Sequence, residues 1–203
     1  MIRTVIFDLG GVIVPLDFTQ GYTTISKFCS YPAAEIPRRL ASTDLIVRFE
    51  SGQIEPEKFA EELSELLGLK KIGYDTFCTV WSSIFLPHTL IPGELLDRVR
   101  RHHRLLLLSN TNAIHFDMLR RTYPILDRFD EFVLSYEVGA MKPSPRIYQE
   151  AVARAGCRPE ECFFTDDVLA YVEGARKEGI DAVQFESQEQ IERELRNRGV
   201  SLD

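Results

Sequence analysis

The chain has 203 residues, with 24 Lys and Arg against 31 Asp and Glu, which gives a formal net charge of −7 at pH 7. Because a nucleic-acid-binding surface must be basic to meet the phosphate backbone, this balance disfavours nucleic acid as a partner. Hydrophobic residues at 44% and charged residues at 27% are typical of a globular domain and exclude a disordered or collagen-like chain.

The first predicted strand runs from Thr4 to Leu9 within an apolar N-terminal segment. Arg3, Asp8 and two glycines interrupt this segment, which is too short to cross a bilayer and has no small-residue cleavage site. We therefore expect a cytoplasmic protein with no membrane partner. The four cysteines form neither a CxxC pair nor a His–Cys set at zinc-ligand spacing, so we expect buried thiols and no zinc site.

Residues 17–92 separate the first strand from the next and are predicted to be helical throughout. In the stretch EPEKFAEELSELLGL, Phe59, Leu63, Leu66 and Leu67 lie on one face of a helix. Almost a hundred residues separate Asp8 from the second apolar run, far more than one crossover helix requires. We therefore predict a small α-helical domain at residues 17–92, inserted into a core formed by residues 1–16 and 93–203.

The rest of the chain alternates between short apolar runs and segments with helical periodicity. Later strands are predicted at residues 105–109, 132–135, 162–165 and 182–185, and helices at residues 112–122, 144–156, 168–178 and 188–198. The runs lack strict polar alternation, as is typical of parallel strands covered on both faces. The fold class predicted is therefore α/β, a doubly wound (Rossmann-like) parallel sheet with the inserted helical cap domain.

Polar side chains stand where the predicted strands end. Asp8 lies at the end of the first strand, Ser109 and Asn110 close the second, and Asp166 and Asp167 close the fourth. Because ligands of open α/β sheets bind at the carboxyl ends of the strands, we expect these side chains to converge on one crevice.

Lys142, in the loop GAMKPSPRIY before a predicted helix, is expected to join the same crevice. Three carboxylates so close repel one another unless a hard cation binds them, and Mg²⁺ accepts a few carboxylates while keeping waters for a phosphate. Each residue alone has a simpler explanation, such as a helix cap for Ser109 or a solvated Lys142. Their joint occurrence in this order favours phosphoryl chemistry.

Four segments carry a family resemblance. They are FDLGGVIV at residues 7–14, LLLLSNTN at 105–112, MKPSPRIY at 141–148 and FFTDD at 163–167. With these motifs in this order, the chain resembles the haloacid dehalogenase-like (HAD) phosphohydrolase superfamily. The resemblance is closest to bacterial sugar phosphatases of the α-D-glucose-1-phosphate phosphatase type, which share the LSNTN loop and the KP-x-x-RIYQ stretch at residues 142–149.

The resemblance implies a phosphatase that acts through an aspartyl phosphate. Asp8 would be the nucleophile, Ser109 and the Asn110 backbone would bind the phosphoryl oxygens, and Lys142 would neutralise their charge. The partner implied is a small phosphorylated metabolite, a sugar phosphate above all, chosen by the inserted helices. Monomer and homodimer both remain open.

The resemblance also implies the cofactor Mg²⁺. An oxygen of Asp8, the backbone carbonyl of Gly10, and the carboxylates of Asp166 and Asp167 would hold it.

Gly10 departs from the common family pattern, in which an aspartate two residues after the nucleophile protonates the leaving oxygen. General acid–base assistance contributes about 10²–10⁴ in rate, so its loss implies a slow enzyme or a replacement acid. Asp17, at the junction with the insert, and Glu50, within it, are the candidates for that role and for substrate binding. Each is equally explained as a solvated carboxylate.

Two other functions remain open. Because Gly10 supplies no proton, the chain could be a catalytically weak or inactive protein that binds a phosphate ligand or carries a regulatory phosphoaspartate. A metal-free haloacid dehalogenase is the third alternative, but Asp166 and Asp167 argue against it, because attack on an anionic haloacid gains nothing from two more negative charges.

Overall fold

The computed structural model describes all residues from 1 to 203 and contains one five-stranded sheet. The strands are β1 (Thr4–Phe7), β2 (Arg104–Ser109), β3 (Glu131–Leu134), β4 (Cys162–Asp166) and β5 (Asp181–Gln184). Their order in the sheet is β3-β2-β1-β4-β5, and every neighbouring pair is parallel. The predicted doubly wound α/β class is therefore confirmed.

Eleven helices accompany the sheet. In chain order they are α1 (Phe18–Ser26), α2 (Ile36–Leu40), α3 (Leu45–Glu50), α4 (Pro56–Leu67), α5 (Tyr74–Trp81), α6 (Gly93–Arg100), α7 (Ala113–Thr122), α8 (Ser135–Val138), α9 (Pro145–Ala155), α10 (Leu169–Lys177) and α11 (Gln188–Asn197). No helix is both long enough and apolar enough to cross a membrane.

The sheet is buried on both faces, which explains its continuous apolar strands. Successive residues of a strand point to opposite faces, so Leu105 and Leu107 pack into one hydrophobic cluster while Leu106 and Leu108 pack into another. Helices cover both clusters, as the fold of a parallel sheet requires. Of the four cysteines, all of which are free, only Cys162 is fully buried, because the other three lie at the edges of these clusters and of the insert.

Helices α1–α5, here called the helical insert, enclose a separate hydrophobic cluster. Phe59, Leu63 and Leu67 of α4 are buried there, on the face predicted from their spacing. The Phe59 ring stacks on that of Phe49 from α3, with 4.0 Å between centroids. Leu66 packs against the same cluster, and Ile114 of α7 joins it from the α/β core. The insert therefore has a core of its own that reaches the α/β core.

Two antiparallel chain segments join the insert to the α/β core. Leu16 and Phe85 form an antiparallel bridge. On either side of it, the Asp17 amide donates to the Ile84 carbonyl at 2.7 Å and the Leu86 amide donates to the Pro15 carbonyl at 3.1 Å. This two-stranded junction lies next to the carboxyl end of β1 and fixes where the insert sits over the sheet.

Candidate active site

The parallel register brings three strand ends together. Phe7 of β1 is paired with Leu107 of β2 on one side and with Thr165 of β4 on the other. The residues that follow each of these, Asp8 and Asp166 among them, therefore emerge side by side at the carboxyl edge of the sheet. Both carboxylates are buried, Asp8 at 7% exposure and Asp166 at 0%.

Lys142 connects these two carboxylates. Its Nζ donates to Asp8 Oδ1 at 2.7 Å, to Asp166 Oδ2 at 2.5 Å and to the Leu108 carbonyl at 3.1 Å, which uses all three ammonium protons. Burial favours the neutral amine, but the Asp8 and Asp166 carboxylates outweigh it and raise the pKa of Lys142 above its ordinary value. Lys142 is therefore a fixed positive charge beside the Asp8 carboxylate.

The Asn110 side chain holds the loop that carries Lys142. Its Oδ1 accepts from the Lys142 amide at 2.7 Å and its Nδ2 donates to the Lys142 carbonyl at 3.0 Å. The neighbouring Ser109 is buried, and its hydroxyl makes one long contact, 3.4 Å, to the Asn110 carbonyl. The Asn110 side chain thus positions Lys142, while the Ser109 hydroxyl stays almost uncommitted.

Asp8, Asp166 and Asp167 form a cluster of three carboxylates. Each offers an oxygen, and these oxygens all lie within 4.8 Å of one another. Burial, the largest cause, and the nearby Asp166 charge together exceed the opposing effect of Lys142 and raise the pKa of Asp8 to about 7. Asp167 is exposed as a residue, but partial desolvation of its carboxylate and the Asp166 charge raise its pKa as well. A bound cation would offset both the lost hydration and the repulsion.

The cluster fits a divalent cation that prefers oxygen ligands. Asp167 is exposed, whereas both oxygens of Asp166 are engaged, one by Lys142 and the other by the Val168 amide at 2.8 Å. The Asp167 carboxylate packs so closely on Gly11 that a Cβ there would overlap it, and Gly11 also has φ +80°, a conformation that favours glycine. The backbone is therefore shaped around the Asp167 carboxylate, and a hard cation such as Mg²⁺ suits this donor set.

Gly10 leaves no side chain near Asp8 at this point of the chain. A Cβ at Gly10 would lie 2.9 Å from Leu16 Cδ1, so the Leu16 side chain occupies the space that a longer residue 10 would take. No carboxylate from the first strand loop reaches this position.

A cavity of about 470 Å³ opens next to the acidic cluster, between the core and the helical insert. This volume lies within the range of about 300–1,000 Å³ that is usual for small-molecule sites. Leu9, Gly10, Ser109 and Asn110 line its floor, so it adjoins Asp8. The cavity is therefore the space available to the part of a ligand that extends away from Asp8.

The two predicted replacement acids differ in their placement. Asp17 is the N-cap of α1, where its Oδ1 accepts from the Gln20 amide at 2.9 Å, and it does not line the cavity. Glu50, the last residue of α3, lines the cavity and makes no side-chain hydrogen bond or ion pair. Burial raises the pKa of Glu50 to about 7. The structure therefore brings Glu50 to the cavity and leaves Asp17 in a helix cap.

His115 forms part of the cavity wall and was not singled out by the sequence. Its ring stacks on Trp81 of the insert, with 5.3 Å between centroids, and its Nε2 lies 3.3 Å from the Trp81 carbonyl. The Asn112 Oδ1 accepts from the His115 amide, which turns the Asn112 Nδ2 toward His115 Nδ1 at a distance of 3.1 Å. Because Nδ2 can only donate, His115 Nδ1 accepts, and the ring proton of His115 is on Nε2. Burial lowers the pKa of His115 to about 4, which keeps the ring neutral.

A second contact fixes the other side of the insert against the core. Gly52, just after α3, has φ +69° and packs on the Tyr136 carbonyl of α8 so closely that no Cβ would fit. Because Glu50 lies two residues before Gly52, this contact helps to set where the Glu50 carboxyl meets the cavity.

Comparison with known proteins identifies the fold. Residues 2–179 match the family model of haloacid dehalogenase-like hydrolases. The chain is 26% identical over 196 residues to a D-ribitol-5-phosphate phosphatase of Bacteroides thetaiotaomicron, covering 92% of this chain and 93% of the relative. A glyceraldehyde 3-phosphate phosphatase of Methanothermobacter thermautotrophicus is 34% identical over 136 residues, which cover 64% of this chain and 57% of that protein.

Solved structures agree with this result. A HAD family enzyme of Bacteroides thetaiotaomicron, crystallised with magnesium and inorganic phosphate, superimposes with a TM-score of 0.81 at 28% identity, covering 92% of this chain and 96% of that one. A HAD-like hydrolase of Porphyromonas gingivalis superimposes with a TM-score of 0.80 at 31% identity, covering 97% and 98% of the two chains. The resemblance inferred from the four motifs is confirmed, and the chain belongs to the haloacid dehalogenase-like hydrolase family.

Proposed function

We propose that the protein is a Mg²⁺-dependent phosphatase of small phosphorylated metabolites, with sugar phosphates as the first class to examine. The observation that carries the proposal is the buried Asp8 carboxylate, held by Lys142 within a cluster of three carboxylates, next to the residues Leu9 and Gly10 that line a ligand-sized cavity. The relatives named for ribitol 5-phosphate and glyceraldehyde 3-phosphate support it.

In the proposed reaction an Asp8 oxygen forms a bond to phosphorus as the ester P–O bond breaks and the alcohol leaves. Water then attacks the aspartyl phosphate, which releases inorganic phosphate and restores the Asp8 carboxylate. Lys142 keeps Asp8 oriented and offsets negative charge that develops on the phosphoryl oxygens. The Ser109 hydroxyl and the backbone N–H of Asn110 are proposed to donate hydrogen bonds to those oxygens.

The proposed ligands of Mg²⁺ are Asp8, Asp166, Asp167 and the backbone carbonyl of Gly10. When bound there, the ion would supply charge neutralisation and polarise a phosphoryl oxygen.

Glu50 is proposed as the acid that replaces the missing side chain at Gly10. It is the one carboxyl of the insert that lines the cavity, and it has no other partner. A carboxyl with a pKa of about 7 is suited to donating a proton near neutral pH. Asp17 is not retained in this role, since its carboxylate already caps α1.

The test is phosphate release from a panel of sugar phosphates by the purified protein, with Mg²⁺ and with EDTA. Sustained, Mg²⁺-dependent release supports the phosphatase. Tight phosphate-ester binding without turnover supports the alternative that Gly10 motivates, a binding or regulatory protein. Halide release from 2-haloacids that resists EDTA would instead support a dehalogenase.

A further inference from the structure

The insert side of the cavity is chemically unlike its floor. The lining residues contributed by the insert and by its junction with the core are mostly apolar, among them Leu16, Phe18, Ile25, Leu40, Trp81 and Phe85. Twelve of the twenty lining residues of the whole cavity are hydrophobic. A ligand that reaches from Asp8 toward the insert therefore meets hydrocarbon and aromatic surface.

The lining contains no Lys or Arg. Glu50 is the only acidic residue of the lining, and burial keeps His115 neutral. A second anionic group on the ligand, such as a carboxylate or another phosphate, would lose its hydration without meeting a cation. The cavity thus discriminates against a leaving group with its own negative charge.

Few hydrogen-bonding groups are available for a polyhydroxylated ligand. The polar side chains of the insert that line the cavity are Tyr22, Thr43 and Glu50. Thr43 already accepts from the Leu45 amide, and the two ring nitrogens of His115 face Asn112 and Trp81. A polyol would therefore bind here with several hydroxyls unsatisfied, each of which would lose its hydrogen bonds to water without replacement.

We infer that the preferred substrate is the phosphomonoester of a neutral alcohol with a largely apolar body and few hydroxyls. The inference rests on the proposed phosphatase function and narrows its substrate class. A site built for a polyol phosphate would select its substrate through hydrogen bonds to the hydroxyls. Here the leaving group would be selected by the burial of its apolar surface.

A series of five-carbon esters tests this inference with chain length held constant. The probes are pentyl phosphate, ribitol 5-phosphate and 4-carboxybutyl phosphate. We expect kcat/KM for pentyl phosphate to exceed that of the other two by about tenfold or more, and to fall about tenfold on shortening to propyl phosphate. A higher kcat/KM for ribitol 5-phosphate or 4-carboxybutyl phosphate would overturn the inference.

A charge-introducing variant sharpens the test. Phe18 lines the cavity yet is 52% exposed, so Phe18→Arg places a cation at the cavity without burying it in the insert core. We expect this variant to improve kcat/KM for 4-carboxybutyl phosphate relative to pentyl phosphate by about tenfold. Phe18→Leu is the matched control and should keep the wild-type ratio of the two kcat/KM values. An unchanged ratio in Phe18→Arg would contradict the assignment of this wall to the leaving group.

Calorimetric binding separates this inference from the proposed function. In Asp8→Asn, which is designed not to turn over, pentyl phosphate should still bind more tightly than ribitol 5-phosphate. That result would support the apolar site whether or not the wild type releases phosphate. If the wild type released phosphate from neither ester, only the proposed phosphatase activity would be contradicted. Tighter binding of ribitol 5-phosphate would overturn the inference whatever the activity.

Discussion

The Asn110 side chain pairs with both backbone groups of Lys142, accepting from its amide at 2.7 Å and donating to its carbonyl at 3.0 Å. The pair joins the loop after β2 to the loop before α9 and thereby sets where the Lys142 ammonium meets Asp8. Asn110 is thus a positioning residue for Lys142.

Asn110→Ala should lower kcat much more than it raises KM, because a small displacement of Lys142 misaligns the charge beside Asp8. A misplacement of about 1 Å costs on the order of 10²-fold in rate. Steady-state kinetics with p-nitrophenyl phosphate checks this, and Asn110→Asp, which keeps the acceptor, should recover part of kcat. A kcat equal to the wild-type value in Asn110→Ala would exclude the positioning role.

Glu50→Gln should slow the release of alkyl alcohols while leaving p-nitrophenyl phosphate almost unaffected, because p-nitrophenolate leaves without protonation. We expect a loss of about 10²-fold for pentyl phosphate. Equal losses on both esters would indicate that Glu50 has only a structural role.

The pH profile gives an independent check of Glu50. Its pKa is raised to about 7 by burial, and the proposed role needs the protonated form. For pentyl phosphate, kcat/KM should therefore fall as the pH rises through about 7. Glu50→Gln should lack that falling limb, and an identical limb in the variant would assign it to another group.

Restoring a carboxyl at position 10 should rescue the variant that lacks Glu50. Because a Cβ at Gly10 would lie 2.9 Å from Leu16 Cδ1, the change needs room, which Leu16→Ala provides. Two triple variants are compared, both with Glu50→Gln and Leu16→Ala: one carries Gly10→Asp and the other, its matched control, Gly10→Asn. The variant with Gly10→Asp should turn over pentyl phosphate about tenfold or more faster than the control. Equal rates in the Asp and Asn versions would rule out a rescue by acid catalysis.

His115 should make the protein sensitive to mild acid. Its folded-state pKa of about 4 lies below the ordinary 6.5, so the unfolded chain takes up the proton first as the pH falls. The stability that neutral His115 contributes is full above pH 6.5 and is lost progressively down to about pH 4, on the order of 3 kcal/mol.

Urea unfolding at pH 7 and pH 4.5 measures this loss. His115→Gln should show a smaller decrease in unfolding free energy between the two pH values than the wild type does. His88→Gln, at an exposed histidine, is the control and should behave like the wild type. The same pH dependence in His115→Gln and the wild type would show that the loss comes from other groups.

Much of the fold and the position of the acidic cluster could be predicted from the sequence, because strand periodicity and strand ends are local features. Asp8 and Asp166 could be placed together because parallel strands end at one edge of the sheet. The roles of Asn110 and His115 could not be predicted, since each depends on a partner in a distant segment, Lys142 in one case and Trp81 in the other. Asp17 and Glu50 were equivalent candidates for the replacement acid in the sequence. Only the placement of α1 and α3 in the fold shows that Asp17 caps a helix while Glu50 lines the cavity.

The role of Asp8 is tested most directly by Mg²⁺-supported phosphate release from p-nitrophenyl phosphate by the wild type and by Asp8→Asn, with equal folding verified by thermal melting. We expect sustained release by the wild type, its loss on adding EDTA, and no release above background by Asp8→Asn. Release by Asp8→Asn at a rate near that of the wild type would contradict Asp8 as the nucleophile.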